Sequence, residues 1–290
     1  MVRIGSESQA VQNPFIRYAG EAGWTHLSRE DALIMRGGEA SPLLRNVFLQ
    51  QVQKLNPGTV DLIEAEEQVK RLLRLPPTIE GNQQIWEFLK GLKTVFVPSE
   101  RRERNLRLID FDDPDRNTFH VASEYQFSNG TYSIRPDVVL LVNGIPIILI
   151  EAKSPKHARG AAEALEQVRR YHREGPELLY LTQFFGLTHL IQFYYGATWN
   201  LAHKNLFNWR DEPVSQDFET LVKTFVSPQR VLKVLSDYIL FTRRDDELTK
   251  VVLRPHQMRA VDRALFRSRD PNRRRGLIWR TLKAPARRSP

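Results

Sequence analysis

Arg135-Pro136-Asp137-Val138-Val139-Leu140-Leu141-Val142-Asn143-Gly144-Ile145-Pro146-Ile147-Ile148-Leu149-Ile150-Glu151-Ala152-Lys153-Ser154-Pro155 reads as two adjacent strands joined by an Asn-Gly turn. The runs 138–142 and 145–150 are branched and apolar throughout, which suits strands covered on both faces. The polar residues stand at the ends. Asp137 opens the first strand, and Glu151 and Lys153 close the second. Strand side chains alternate, so Glu151 and Lys153 share a face and Ala152 points away. Two carboxylates and an ammonium around one strand pair suit metal-dependent phosphodiester hydrolysis. A hard divalent cation offsets the phosphate charge and activates a water. Mg²⁺ takes oxygen ligands, often one or two carboxylates with waters and substrate phosphate. Asp137 and Glu151 are the candidate ligands, the Ala152 carbonyl is a third oxygen, and Lys153 is placed to orient the water or stabilise transition-state charge.

The hairpin register decides whether Asp137 takes part. A two-residue Asn143-Gly144 turn pairs Val142 with Ile145 and therefore Pro136 with Glu151, which turns Asp137 to the wrong face. A three-residue loop with Gly144 left-handed pairs Leu141 with Ile145 and brings Asp137 to the face of Glu151. The functional reading predicts that loop, or a bulge near Asp137.

These residues resemble the PD-(D/E)xK nuclease motif. More narrowly, Arg-Pro-Asp, Val-Asn-Gly-Ile-Pro and Glu-Ala-Lys-Ser-Pro resemble the N-terminal nuclease domain of the restriction (R) subunit of type I restriction enzymes. Further segments follow in order: Glu7 to Phe15 with Gly23-Trp24, Leu108 to Phe111, Asn117 to Phe119, Glu166 to Tyr171, Tyr194 to Gly196, and Trp209. The resemblance implies a magnesium-dependent double-strand endonuclease, with Mn²⁺ as a substitute ion. It assigns catalysis to Asp137, Glu151 and Lys153, a supporting role to Gln167 and Tyr171, and an early acidic ligand to Glu7. It implies duplex DNA and the modification and specificity subunits of a type I complex as partners. Gln167 and Tyr171 also make sense alone: four apart, they share one face of a helix over 158–172.

Around this centre the chain reads as an α/β (α+β) protein, a restriction-endonuclease-like mixed sheet flanked by helices. Apolar spacing near 3.6 predicts helices over 7–18, 42–55, 61–75 and 83–90. Strands are predicted over 94–98, 106–111, 118–127, 178–184 and 188–195. The expected layout is a nuclease domain over 1–205 (1–92 mostly helical, 93–205 the sheet), a helical connector over 206–252, and the start of a helicase-type motor over 253–290. Leu253 to Val261, with Gln257, resembles the entry to such a motor, and Arg275 to Trp279 resembles the strand before its phosphate loop. No glycine-rich phosphate cradle follows. The expectation is a truncated R subunit, partly disordered at its end, that does not bind ATP; ATP belongs to a full-length subunit.

The net charge of +9 is uneven, because residues 262–290 hold ten Lys or Arg against two Asp. Phosphate contacts must therefore come from local clusters. Candidates are Arg101, Arg102, Arg104 and Arg107, and then Lys156, His157 and Arg159. The absence of cysteine removes disulfides and thiolate zinc sites. No apolar run reaches the roughly 20 residues of a membrane span and no secretory segment opens the chain, so the expected location is the cytoplasm. No histidine pair has metal-ligand spacing. The rival readings are a non-catalytic module that docks on DNA or on partner subunits, and another PD-(D/E)xK enzyme such as a resolvase or an exonuclease.

Overall fold

The computed structural model describes residues 11–154, 160–190, 192–209 and 217–270. The chain divides into two compact units, Met1–Val252 and Leu253–Pro290. Among its described residues the first unit opens with α1 (Asn13–Glu21), β1 (Thr25–Leu27), α2 (Arg29–Arg36), α3 (Arg45–Leu55), α4 (Leu62–Leu73) and α5 (Ile79–Leu89). Then come β2 (Thr94–Val97), β3 (Arg102–Asn105), β4 (Phe119–Ser123), β5 (Phe127–Ser128), β6 (Ser133–Ile134), β7 (Val138–Val142) and β8 (Ile145–Ala152). It continues with α6 (Gly160–Glu174), α7 (Pro176–Leu179), β9 (Phe184–Thr188), β10 (Phe193–Ala197) and β11 (Phe207–Asn208). It ends with α8 (Phe218–Val226), α9 (Pro228–Lys233), β12 (Ile239–Arg244) and β13 (Glu247–Val252). In the second unit the described residues form one helix, α10 (Pro255–Ser268).

Helix starts follow side-chain chemistry. Ser28 and Asp31 form a capping box on α2. Asp61 accepts the Glu64 N–H at the start of α4, and Thr78 caps α5. Each satisfies an N–H that the helix itself cannot.

Seven strands form one mixed sheet in the order β1-β4-β7-β8-β9-β10-β11. The β1–β4 and β8–β9 pairs are parallel and the other pairs antiparallel. The sheet with its flanking helices is the α/β architecture expected from the sequence. Every residue of β7 and β8 is buried, as their unbroken apolar composition requires. On one face Val139, Leu141, Leu149, Phe185 and Leu187 pack with Ala164, Leu165, Val168 and Tyr171 of α6. An aromatic cluster joins α1, α8, β9 and β10, with Phe193 and Phe225 ring centres 4.6 Å apart and Phe15 stacked on Phe193. Burying one such side chain contributes about 1.5–3 kcal/mol.

The β7–β8 hairpin combines two features that the sequence presents as alternatives. Asn143 and Gly144 both have positive φ, 51° and 81°, and close a two-residue turn that pairs Val142 with Ile145. The register then shifts: Leu141 pairs with Pro146, but Leu140 pairs with Ile148. Ile147 is the extra residue of a bulge. Pro146 has no N–H for the ladder, and the Ile147 carbonyl instead accepts from Gln183 N at 2.8 Å. The bulge sits close to the turn, not beside Asp137. Downstream of it Val138 pairs with Ile150, so Asp137 comes opposite Glu151.

Three sequence expectations need correction. The segment 106–111 is not a strand. Leu106, Leu108 and Ile109 are buried, but their backbone is bonded to side-chain amides. Asn56 Oδ1 accepts from Arg107 N, Asn117 Oδ1 from Asp110 N, and Asn143 Nδ2 donates to Leu108 O. The strand expected at 178–184 starts only at Phe184, because Pro176 begins a helical turn. Among its described residues, the connector over 206–252 is helical only in α8, α9 and the π turn that follows them. It contributes β11 to the sheet and closes with the β12–β13 hairpin. That hairpin is held by Lys250, fully buried, whose ammonium donates to Asn82 Oδ1, Gln183 O and Gln183 Oε1 at 2.7, 2.6 and 2.9 Å. Burial holds its pKa well below the ordinary lysine value.

Candidate active site

The site forms where the N-terminal end of β7 meets the C-terminal end of β8. Asp137 Oδ2 accepts the Ala152 N–H at 2.8 Å. The Asp137 N–H points to Glu151 Oε1 at 3.3 Å. Glu151 is fully buried, and its Oε2 has no hydrogen-bond partner. The Lys153 ammonium lies 3.9 Å from Oε2 with its side chain only 12% exposed. At that distance the pair attracts electrostatically but forms no hydrogen bond. The bulge at Ile147 therefore gathers Asp137, Glu151 and Lys153 on the α6 side of the sheet.

Burial drives the Glu151 carboxyl well above its usual pKa, and the neighbouring Asp137 charge pushes the same way. Lys153 opposes both and does not overcome them. Removing a carboxylate from water with neither a full ion pair nor saturated hydrogen bonds is costly.

Gln167 and Tyr171 share one face of α6, as their spacing requires. Gln167 Nε2 donates to the Tyr171 hydroxyl at 2.6 Å, and that hydroxyl donates to Arg135 O at 3.0 Å. Tyr171 is fully buried. Burial first, and then the Glu151 charge, raises its pKa, so it remains a neutral donor. The pair thus grips the chain two residues before Asp137. At its other end α6 meets the site directly. A Cβ on Gly160 would stand 3.2 Å from Lys153 Cβ, so a side chain there would crowd the lysine.

Gln12 is the residue that sequence reasoning missed as part of this site. It is buried, and its Nε2 donates to the Asp137 carbonyl at 2.8 Å. Glu124 N donates to the same oxygen at 2.8 Å. The available signal was an amide directly before the Asn13-Pro14 helix start.

Other candidates lie elsewhere. Arg102 and Arg104 both pair with Glu100, and Arg107 pairs with Asp110. Arg107 follows β3, and its neighbour Leu108 is bonded to Asn143 at the turn end of the hairpin. That is the length of β7 away from Asp137, about 16 Å. The structure does not bring this cluster to the carboxylates. Glu7, Lys156, His157 and Arg159, like the motor-like segment 275–279, lie outside the described residues. Among the described residues no cluster of three or more His, Asp or Glu suited to an ion occurs. No helix among them is long and apolar enough to cross a membrane.

Residues 4–203 match the family model of the type I restriction enzyme R protein N terminus. The chain belongs to that family. Among its relatives is the EcoprrI type I restriction enzyme endonuclease subunit of Escherichia coli, 30% identical over 257 residues that cover 81% of this chain and 78% of the relative. The MjaVIIIP protein of Methanocaldococcus jannaschii, whose name places it among the same endonuclease subunits, is 27% identical over 93% of this chain. The SauCOLORF180P endonuclease subunit of Staphylococcus aureus (strain COL) is 26% identical over 78%. The chain spans 27% of the length of MjaVIIIP and 19% of MjaVIIP, another M. jannaschii relative. It therefore corresponds to the N-terminal R-subunit region of the family, which contains the whole β7–β8 hairpin.

Proposed function

We propose that this chain is a metal-dependent DNA endonuclease domain of the PD-(D/E)xK type, serving a type I restriction system. One observation carries the reading: a fully buried glutamate with an unpartnered oxygen, opposite an aspartate and next to a lysine. A structural core would replace such a glutamate with an apolar residue at little cost. A site for a divalent cation keeps it, because the cation supplies the missing charge.

Two carboxylates and a nearby backbone carbonyl fit Mg²⁺, which retains waters and takes further oxygens from phosphate. Asp137, Glu151 and the Ala152 carbonyl would hold the ion, with Mn²⁺ able to replace it; Glu7 remains a candidate fourth ligand. The bound ion would supply Lewis-acid stabilisation of phosphate charge and a more acidic water. The chain's own residues do the rest. Asp137 is fixed by the Ala152 N–H on its carboxylate and by Gln12 and Glu124 on its carbonyl. Lys153 stands beside Glu151, where it can hold an attacking water or offset charge on the phosphate. Tyr171 and Gln167 hold the Arg135 carbonyl and so set the entry to β7.

Duplex DNA is the proposed substrate, and the modification and specificity subunits of a type I complex are the proposed partners. A cytoplasmic location follows from that reading. ATP is not expected to bind, because the sequence offers no phosphate cradle. Calorimetry with Mn²⁺ tests the proposal. Wild type should bind the ion, and Asp137→Ala should abolish binding with the fold intact. Plasmid nicking with Mg²⁺ or Mn²⁺ should be lost in Lys153→Ala, which retains both carboxylates. An Asp137→Ala chain that binds Mn²⁺ like wild type would refute the site. Co-purification with a methyltransferase, with both variants behaving as wild type, would favour a docking module.

A further inference from the structure

The end of the sheet that carries Asp137 also carries a cationic groove that no sequence run reveals. Leu27 of β1 pairs with Ala122, Ser123 of β4 pairs with Val138, and Glu124 N bonds the Asp137 carbonyl. The corner between β1 and α2 therefore lies at the Asp137 end. Against it runs α1, which Gln12 ties to the same carbonyl. Between them opens a groove of about 700 Å³. Asn13 and Arg17 line one wall, His26 and Arg29 the other, and Ser123 and Glu124 the end where β4 meets the entry to β7.

The lining is rich in donors. Arg17, His26 and Arg29 are exposed. Arg29 bonds only the neutral amide of Gln126, which leaves its charge uncompensated. Arg17 bonds the Tyr18 hydroxyl at 2.9 Å and stands 3.8 Å from Glu21, which is itself held at 2.6 Å by Lys223. His26 shares a 3.2 Å contact with Ser123 Oγ. Glu124 is the acidic member of the lining. Two guanidinium groups on opposite walls, with hydroxyl and amide donors between them, suit a chain of phosphodiesters rather than an apolar ligand. The volume far exceeds one phosphate ion.

We propose that this groove carries the DNA strand backbone that leads to the carboxylate pair, with Arg17 and Arg29 each contacting a phosphate. The proposal rests on the nuclease reading and adds the path of the substrate. It also accounts for the folding of β1 and α2 against the catalytic edge. They form a second wall that α1 alone would not provide.

The test is duplex binding by the whole chain, measured by anisotropy with a fluorescent 30-base-pair DNA across a salt series. Arg17→Ala with Arg29→Ala should weaken binding at least tenfold at about 50 mM salt and flatten the log–log salt slope by about 2. A control removes the same charge elsewhere: Lys70→Ala in α4 with Arg74→Ala at its C-cap. The Leu72 carbonyl of α4 accepts from Tyr180 OH, just before the entry of β9 and so at the opposite end of the sheet. The control should bind like wild type. Inorganic phosphate should displace the duplex no more than chloride does at equal ionic strength, because a single ion cannot span both walls. Equal loss in both double variants, loss in neither, or a wild type that does not bind duplex at about 50 mM salt would overturn the groove. Mn²⁺ titration separates this from the parent reading. Groove variants should bind the ion as wild type does, whereas Asp137→Ala should lose it.

Discussion

The two ends of the β7–β8 hairpin are built to opposite standards. At the turn, each polar group of the Asn143 side chain has a protein partner. Its Nδ2 donates to Leu108 O and Asn117 Oδ1, both at 2.8 Å, and its Oδ1 accepts from Thr118 N at 2.8 Å. At the open end, some five residues away, an equally buried carboxylate keeps an oxygen with no partner. The strands between are the same apolar ladder. Burial alone therefore does not explain the orphaned oxygen: at its turn the same hairpin satisfies an equally buried amide in full. The open end is where it carries a cost, and a bound cation is what would offset it.

The comparison can be broken first at the turn. Gly144 has φ +81°, and a Cβ there would stand 2.6 Å from Leu44 O and 2.9 Å from Phe48 N. Both are backbone atoms and cannot step aside. Gly144→Ala should cost about 3 kcal/mol or more, read as a lowered urea midpoint. Asn143→Ala should follow at about 2–3 kcal/mol, since it orphans the Leu108 carbonyl and the Thr118 N–H in the interior. Substitutions as mild as those at the open end would mean that the turn is not the stabilising end.

This contrast also explains what the sequence made legible. The hairpin, its flanking polar residues and the Gln167–Tyr171 face could be read because strand and helix periodicities fix which side chains travel together. The register could only be posed as a choice. Its answer depended on where Pro146 would interrupt the ladder, and the bulge took up one residue at Ile147. The loop over 106–111 misled because its apolar residues are buried without strand pairing, held by amides from Asn56, Asn117 and Asn143 that lie far apart in sequence. The groove was invisible for the same reason. Arg17, His26 and Arg29 form no run, and only the parallel pairing of β1 with β4 brings them to the Asp137 edge. Arg102 and Arg104 form a run and go elsewhere.

At the open end the expected sign reverses. Glu151→Gln removes a buried ionisable carboxyl and should stabilise the metal-free chain by about 1–2 kcal/mol at neutral pH, while abolishing Mn²⁺ binding. The pH dependence follows from the raised pKa of Glu151. Between its unfolded value, near 4.5, and the higher folded value, the native state holds the proton that the unfolded chain has released. Stability is full below that window and falls as pH rises through it. Paired urea melts should show the advantage of Glu151→Gln growing from pH 4.5 upwards. An advantage that shrinks with pH would mean that Glu151 is a stabilised anion, and the contrast between the two ends would lose its basis.

The smallest effect sharpens the comparison most. Tyr171→Phe keeps the ring in the α6 core and removes one hydroxyl, which holds Arg135 O and accepts from Gln167. The stability cost should be about 1 kcal/mol. Arg135 is exposed, so its carbonyl can turn towards water. If the hydroxyl serves stability alone, Mn²⁺ affinity will not change. If it fixes the entry of β7 so that Asp137 meets Ala152 N, affinity should fall by a few-fold, with no carboxylate altered. Gln167→Leu should then produce the same loss, and the double variant should lose little more than either single one, because both act through one hydroxyl. Additive losses would mean that Gln167 reaches the site by its own route.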